Sequence, residues 1–156
     1  MLPRLLLCAL LAALACLVEA RAQAPVRNVL PGTCETLVLG GRDASATCAN
    51  ELVNGVEGRR TIFEFRSSDG NAVAFSGTGA PQERQEEFGV DATQPVSVLI
   101  LTSKGPDGAV LRDTLMTVGS CRFPPAEPGT SRVVCAADTQ RGRFEGVFVT
   151  RAGAKP

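Results

Sequence analysis

The 156-residue chain contains no histidine, no tryptophan and no tyrosine. Each absence removes a class of chemistry. Without imidazole there is no Ser-His-Asp or Cys-His nucleophile pair, and no histidine ligation of zinc or copper. Without tyrosine or tryptophan there is no broad aromatic platform for stacking sugars, and aromatic packing falls to seven phenylalanines. Neither sign of charge is in excess, since 16 basic side chains balance 16 acidic ones. The clustered basic surface that nucleic acid asks for is therefore missing. Lysine is scarce beside arginine, alanine and glycine, a bias that points to a high-GC bacterial source. After residue 24 no apolar run approaches the ~20 residues that cross a bilayer, so no membrane span is expected.

The N-terminus carries the one long apolar run. Arg4 is followed by apolar residues from Leu5 to Val18 and then by small residues in "AQA". A charged start, a short apolar stretch and small residues before a cut describe a secretory signal. Residues 1–24 are read as a cleaved signal peptide, 25–150 as a single β domain and 151–156 as a flexible C-terminal tail. An alternative rests on "ALAC", Ala13 to Cys16, which resembles a lipobox and would make Cys16 a lipid anchor. Removal of Arg4, Glu19 and Arg21 leaves 14 basic and 15 acidic residues, a net charge of −1.

Four cysteines remain after the signal: Cys34, Cys48, Cys121 and Cys135. "GTCETLVLGGRDASATCAN" and "GSCRFPPAEPGTSRVVCAA" repeat one punctuation, Gly-Thr/Ser-Cys, 13 residues, Cys-Ala. Four cysteines allow three pairings. The repeated spacing favours Cys34 with Cys48 and Cys121 with Cys135, each closing a hairpin whose turn is "GGRD" or "PPAEPG". Their spacing is unlike the paired Cys-x2-Cys of zinc ribbons, and an exported chain meets oxidising conditions, so no metal is expected.

The rest of the chain is rich in strand signals. "RTIFEFR" sets Phe63 and Phe65 on one face against Ile62 and Glu64 on the other, and "NAVAFSG" does the same with Val73 and Phe75 against Ala72 and Ala74. "SSDG" between them is a hairpin cue, and "KGPDG" and "QRG" mark later turns. "PVSVLILT" is almost continuously apolar and reads as a central strand buried on both faces. Ala109–Cys121 supplies one long strand or two short ones. The expected fold is all-β: an antiparallel β-sandwich or small barrel of about seven to nine strands, stapled by two disulfides. Phe63, Phe65, Phe75, Phe144 and Phe148 are assigned to its core.

No catalytic set emerges. Glu86, Glu87 and Asp91 are neighbours in a polar loop rather than carboxylates facing across a cleft. "SSDGN" lacks the ligand spacing of a calcium loop, and "GTG" lacks the Lys-Ser/Thr of a phosphate loop. The chain is therefore read as a non-enzyme without cofactor or metal: an exported binding module of the periplasm or medium, recognising a protein or envelope component through its loops. The candidate loops are Ser76–Gln94, with Glu83, Arg84, Glu86 and Glu87 and a short helix at Pro81–Phe88, and Pro124–Gly129, with Pro124, Pro125, Glu127 and Pro128. A structural envelope role and inhibition of a secreted hydrolase are the alternatives. Residues 83–91 carry a net charge of −3 and residues 122–155 one of +3, a polarity that could steer a partner.

Overall fold

A computed structural model of the chain describes residues 26–79 and 91–151. The expected signal peptide with Cys16, the loop residues Glu83, Arg84, Glu86 and Glu87, the helix expected at Pro81–Phe88 and residues 152–156 of the expected tail lie outside the described residues.

The described residues form nine strands: β1 (Val26–Leu39), β2 (Arg42–Asp43), β3 (Cys48–Glu57), β4 (Arg60–Ser67), β5 (Ala72–Thr78), β6 (Ala92–Lys104), β7 (Val110–Phe123), β8 (Arg132–Thr139) and β9 (Gly142–Thr150). Strands β3 to β8 each pair antiparallel with the next in sequence. β1 then closes the sheet. Its first half, Val26–Pro31, pairs with Glu51–Val56 of β3, and its second half, Gly32–Val38, pairs with Glu145–Thr150 of β9. The partner changes at Pro31, which has no N–H to give to a ladder. The result is a closed up-and-down barrel of eight strands, with β2 as a two-residue extra strand on the end of β1. Closure selects the barrel over the sandwich.

The interior is packed with the residues whose alternation the sequence displayed. Phe65, Phe75, Phe148, Leu37, Leu52, Leu99 and Val73 are fully buried. Phe63 and Phe144 join the same core. Phe65 and Phe75 meet edge to face with ring centres 5.7 Å apart, a geometry aromatic pairs favour. An eight-stranded barrel is only wide enough for side chains to fill it. Here that limit is visible at Gly146, directly opposite Leu37 on β1 and Cys135 on β8. A Cβ at Gly146 would stand 2.6 Å from two ring carbons of Phe65. The ring of β4 thus reaches across the barrel and rests on the bare backbone of β9.

Both disulfides follow the expected pairing. Cys121 and Cys135 are directly opposed on β7 and β8, with Cα atoms 4.0 Å apart. This bridge is buried in the core. Cys34 and Cys48 continue the β1–β3 register, since residue numbers sum to the same value as in Pro31–Glu51. Their loop is not a plain hairpin: it holds β2 and a 3₁₀ turn at Ser45–Thr47. The first bridge ties β1 to β3, beside the β9–β1 seam with its largest sequence separation, and the second ties β7 to β8, one strand removed from that seam.

One expectation is corrected. "PVSVLILT" is not buried on both faces. Only Val96 and Leu99 are buried, Pro95 and Ser97 are exposed, and Val98 and Ile100 are half-buried. Only one face of a barrel wall lines the core, so Val98 and Ile100 face outward beside Ser76 and Ala74 of β5, which are themselves covered, Ser76 beneath a hydrogen bond from Arg60. An irregularity between Val96 and Val98 shifts the inward position from Val96 to Leu99. Of the stretch Ala109–Cys121, Val110–Cys121 belongs to one long strand, β7.

Candidate functional site

In an up-and-down barrel alternate connections share an end. β1, β4, β6 and β8 all finish at one end, here the turn end, and β3, β5, β7 and β9 finish at the other, the loop end. The two stapled segments consequently open on opposite ends of the barrel.

The turn end is built from short, sharply specified turns. Gly40 and Gly41 both take positive φ, 61° and 81°, as a two-residue hairpin turn with right-handed strand twist requires. The β4–β5 and β6–β7 turns share one construction. Gly70 donates to the carbonyl of Ser67 at 3.0 Å, and Gly108 donates to that of Gly105 at 2.9 Å. Asp69 Oδ1 accepts from the Asn71 amide at 3.1 Å, and Asp107 Oδ1 accepts from the Ala109 amide at 3.0 Å. Asp69 also receives a hydrogen bond from the Ser67 hydroxyl. Asp43 accepts from the Ser45 amide at 2.9 Å and from its hydroxyl at 2.6 Å. These bonds favour the charged carboxylate, so the side-chain bond first and the amide bond second hold both Asp43 and Asp69 below the ordinary value of 3.8.

Between these turns lies an open cavity of about 610 Å³, within the range of small-molecule pockets. Leu39, Leu101, Leu111 and Phe144 supply its apolar lining. Phe144 is buried, whereas Leu111 is 56% exposed, much for a leucine. Arg42, Arg112, Arg141 and Asp113 supply the charge. Arg141 pairs with Asp113 at 2.6 Å. Arg42 and Arg112 stand within ion-pair distance of no carboxylate among the described residues. Three guanidiniums against one carboxylate leave the lining at +2. The nearby turn acids Asp43, Asp69 and Asp107 are held by their own turns and do not line the cavity.

The loop end carries the sequence-derived candidates. Pro128 and Gly129 (φ 83°) form a type II turn closed by a 3.0 Å bond from the Thr130 amide to the Glu127 carbonyl. Pro125, Glu127 and Pro128 are exposed and Pro124 is half-buried. The far side of the loop is tied to β9: the Ser131 amide donates to Thr150 Oγ1 at 2.8 Å, and the Thr150 amide donates to the Ser131 carbonyl at 2.8 Å. Pro125, Ala126 and Glu127 border a groove of about 440 Å³, floored by Val149 and the Glu35–Arg132 ion pair. The described flanks of the Ser76–Gln94 loop reach the same end, where Ala92 lies opposite Phe123.

The barrel wall distributes charge differently from the linear sequence. Arg132 pairs with Glu35, Arg141 with Asp113, and Arg143 with Asp138 and Glu145. Three of the five described cations in the stretch 122–155 are thus paired, with acids from β1, β7 and its own strands. Arg27, Arg66 and Glu64 form another outward network. These ion pairs lie on the outer wall, which also carries Val98, Ile100 and the exposed Met116 and Val118. Among the described residues no helix is long and apolar enough to cross a membrane, and no three His, Cys, Asp or Glu side chains stand close enough to hold a metal.

Sequence reasoning missed Arg42, Arg112, Arg141, Leu111 and Phe144. They come from three separate stretches of chain. The signal that could have found them is the set of glycine turns, which any up-and-down order gathers at one end.

No family model, no curated protein and no solved structure matches the chain.

Proposed function

We propose that this protein is an exported binding module of the periplasm or medium, which works by holding a ligand or partner at the ends of a rigid barrel. The observation that carries the reading is the open, charged and partly apolar cavity at the turn end, framed by hydrogen-bonded turns and backed by a filled core. Preorganised turns lower the entropy lost on binding. Two formed disulfides suit an oxidising compartment. A second surface, the Pro124–Gly129 loop over the Glu35–Arg132 groove, has the stiffness expected of a protein-recognition or inhibitory loop.

The test is a pull-down with oxidised protein recovered from an exporting host, against native periplasm and medium. Enrichment of one component, lost on reduction or on removal of either end's residues, supports the reading and assigns the end. Equal recovery of background by native and reduced protein overturns it in favour of a structural role.

A further inference from the structure

The binding reading can be carried to a ligand class, and the inference below rests on that reading. The geometry points to the turn-end cavity as a site for a compact amphipathic anion: a small molecule with one acidic head and a short apolar body, such as a medium-chain or aromatic carboxylate.

Three features define the class. The first is charge. Arg42 and Arg112 bring two guanidiniums to the lining without a described carboxylate partner, and Arg141 is held by Asp113. Planar guanidiniums suit carboxylate and sulfonate oxygens because they offer paired donors in a fixed fork. The second is the apolar lining. Leu111 is left 56% exposed, although a leucine in contact with water is stabilised when an apolar group covers it. With Leu39, Leu101 and Phe144 it offers a surface that a bare inorganic anion would leave unused. The third is depth. Next to the lining the barrel is filled by Leu37, Val73 and Leu99, each fully buried, with Phe65 and Phe75 directly opposite Val73 and Leu99. A long acyl chain has no room to thread inward, which separates this site from a barrel that swallows its ligand. The volume, about 610 Å³ and open to solvent, fits a head at the rim and a short body against the lining.

The probe is 8-anilinonaphthalene-1-sulfonate, itself an aromatic anion whose emission rises on leaving water. Oxidised full protein is titrated with it, and the bound dye is competed with octanoate, 1-octanol, hexadecanoate and inorganic phosphate. The expected result is saturable dye binding displaced by octanoate at concentrations about tenfold below those of octanol, with phosphate ineffective. Loss of charge-assisted hydrogen bonds in Arg42→Gln/Arg112→Gln should weaken dye and octanoate by about tenfold or more. Arg27→Gln on the barrel wall should leave both unchanged. Equal competition by octanol, or affinity indifferent to the double substitution, overturns the anionic head. Hexadecanoate binding far tighter than octanoate overturns the compact body. Association with anionic lipid vesicles that octanoate does not reverse overturns the free small molecule as occupant. If the dye ignores the arginines while the pull-down still captures a component, the ligand class falls and the binding module stands. If both fail, both fall.

Discussion

Gly146→Ala tests whether the barrel interior is filled as described, and with it the argument that a ligand is confined to the mouth. Gly146 does not take a positive φ, so its backbone accepts alanine. The change would otherwise stabilise by about 0.4–1 kcal/mol through the unfolded chain. Against this stands the steric term. The new methyl would lie 2.6, 2.6 and 2.7 Å from Cε1, Cζ and Cδ1 of Phe65, where carbon atoms rest at about 3.5–4.0 Å. Phe65 is 1% exposed and its ring abuts Phe75, so relief requires either a second ring or the β9 backbone to move. Overpacking of this kind costs about 1–3 kcal/mol. The steric term wins, with a net loss of about 1–2 kcal/mol, or a melting temperature lower by roughly 4–8 °C for a domain of this size. Since the chain has no tryptophan or tyrosine, thermal and urea denaturation are followed by far-ultraviolet circular dichroism with both disulfides intact. The decisive comparison is made in a Phe65→Leu background. Leucine lacks the two nearest ring atoms, so there Gly146→Ala should be neutral or stabilising, a coupling of about 1.5–2 kcal/mol between the positions. A Gly146→Ala protein as stable as the parent, or one equally weakened in both backgrounds, would refute the packing argument.

Burial sets the order in which the disulfides open. Cys121–Cys135 lies in the core and Cys34–Cys48 is only half-buried, so mild reductant followed by alkylation and peptide mass mapping should label Cys34 and Cys48 first. Replacing Cys121 and Cys135 together should lower stability by about 3 kcal/mol, through the closed 15-residue loop lost from the unfolded chain. Acid should act through Asp43 and Asp69. Their folded values lie below 3.8, so the stability they contribute is present above about pH 4 and is lost as pH falls through the lowered values. Melting curves of Asp69→Asn against pH should start lower at neutrality and decline less below pH 4. A parallel acid decline in both proteins would contradict the Asp69 turn. The dye titration and the pull-down complete the set.

Much of the fold was legible because it is local. The alternation in "RTIFEFR" and "NAVAFSG" places Phe63, Phe65, Val73 and Phe75 inside whatever closes around them, since a strand has two faces and one must leave water. The Asp-Gly pairs dictate their turns through a carboxylate two residues before an amide and a glycine free to adopt positive φ. Equal cysteine spacing pointed to two local bridges, and both formed: Cys121 and Cys135 are opposed on the adjacent strands β7 and β8, while Cys34 and Cys48 join β1 to β3 across the short β2.

Other features depend on distances that no short window contains. Sandwich and barrel share their strands and differ in whether β1 meets β9, a pairing between residues more than 100 positions apart whose register depends on strand tilt and stagger. The reading of "PVSVLILT" went astray for the same reason: apolarity marks a strand, but only curvature decides that one of its faces is outside. The candidate site is the extreme case. Pro128 and Gly129 form the stiff loop their types imply, yet the cavity with the greater charge and volume draws Arg42, Arg112 and Arg141 from separate hairpins. Residue types specified strands, turns and bridges through contacts a few residues apart. Closure of the first strand on the last specified which turns share an end, and therefore where arginine and exposed leucine come to face one space.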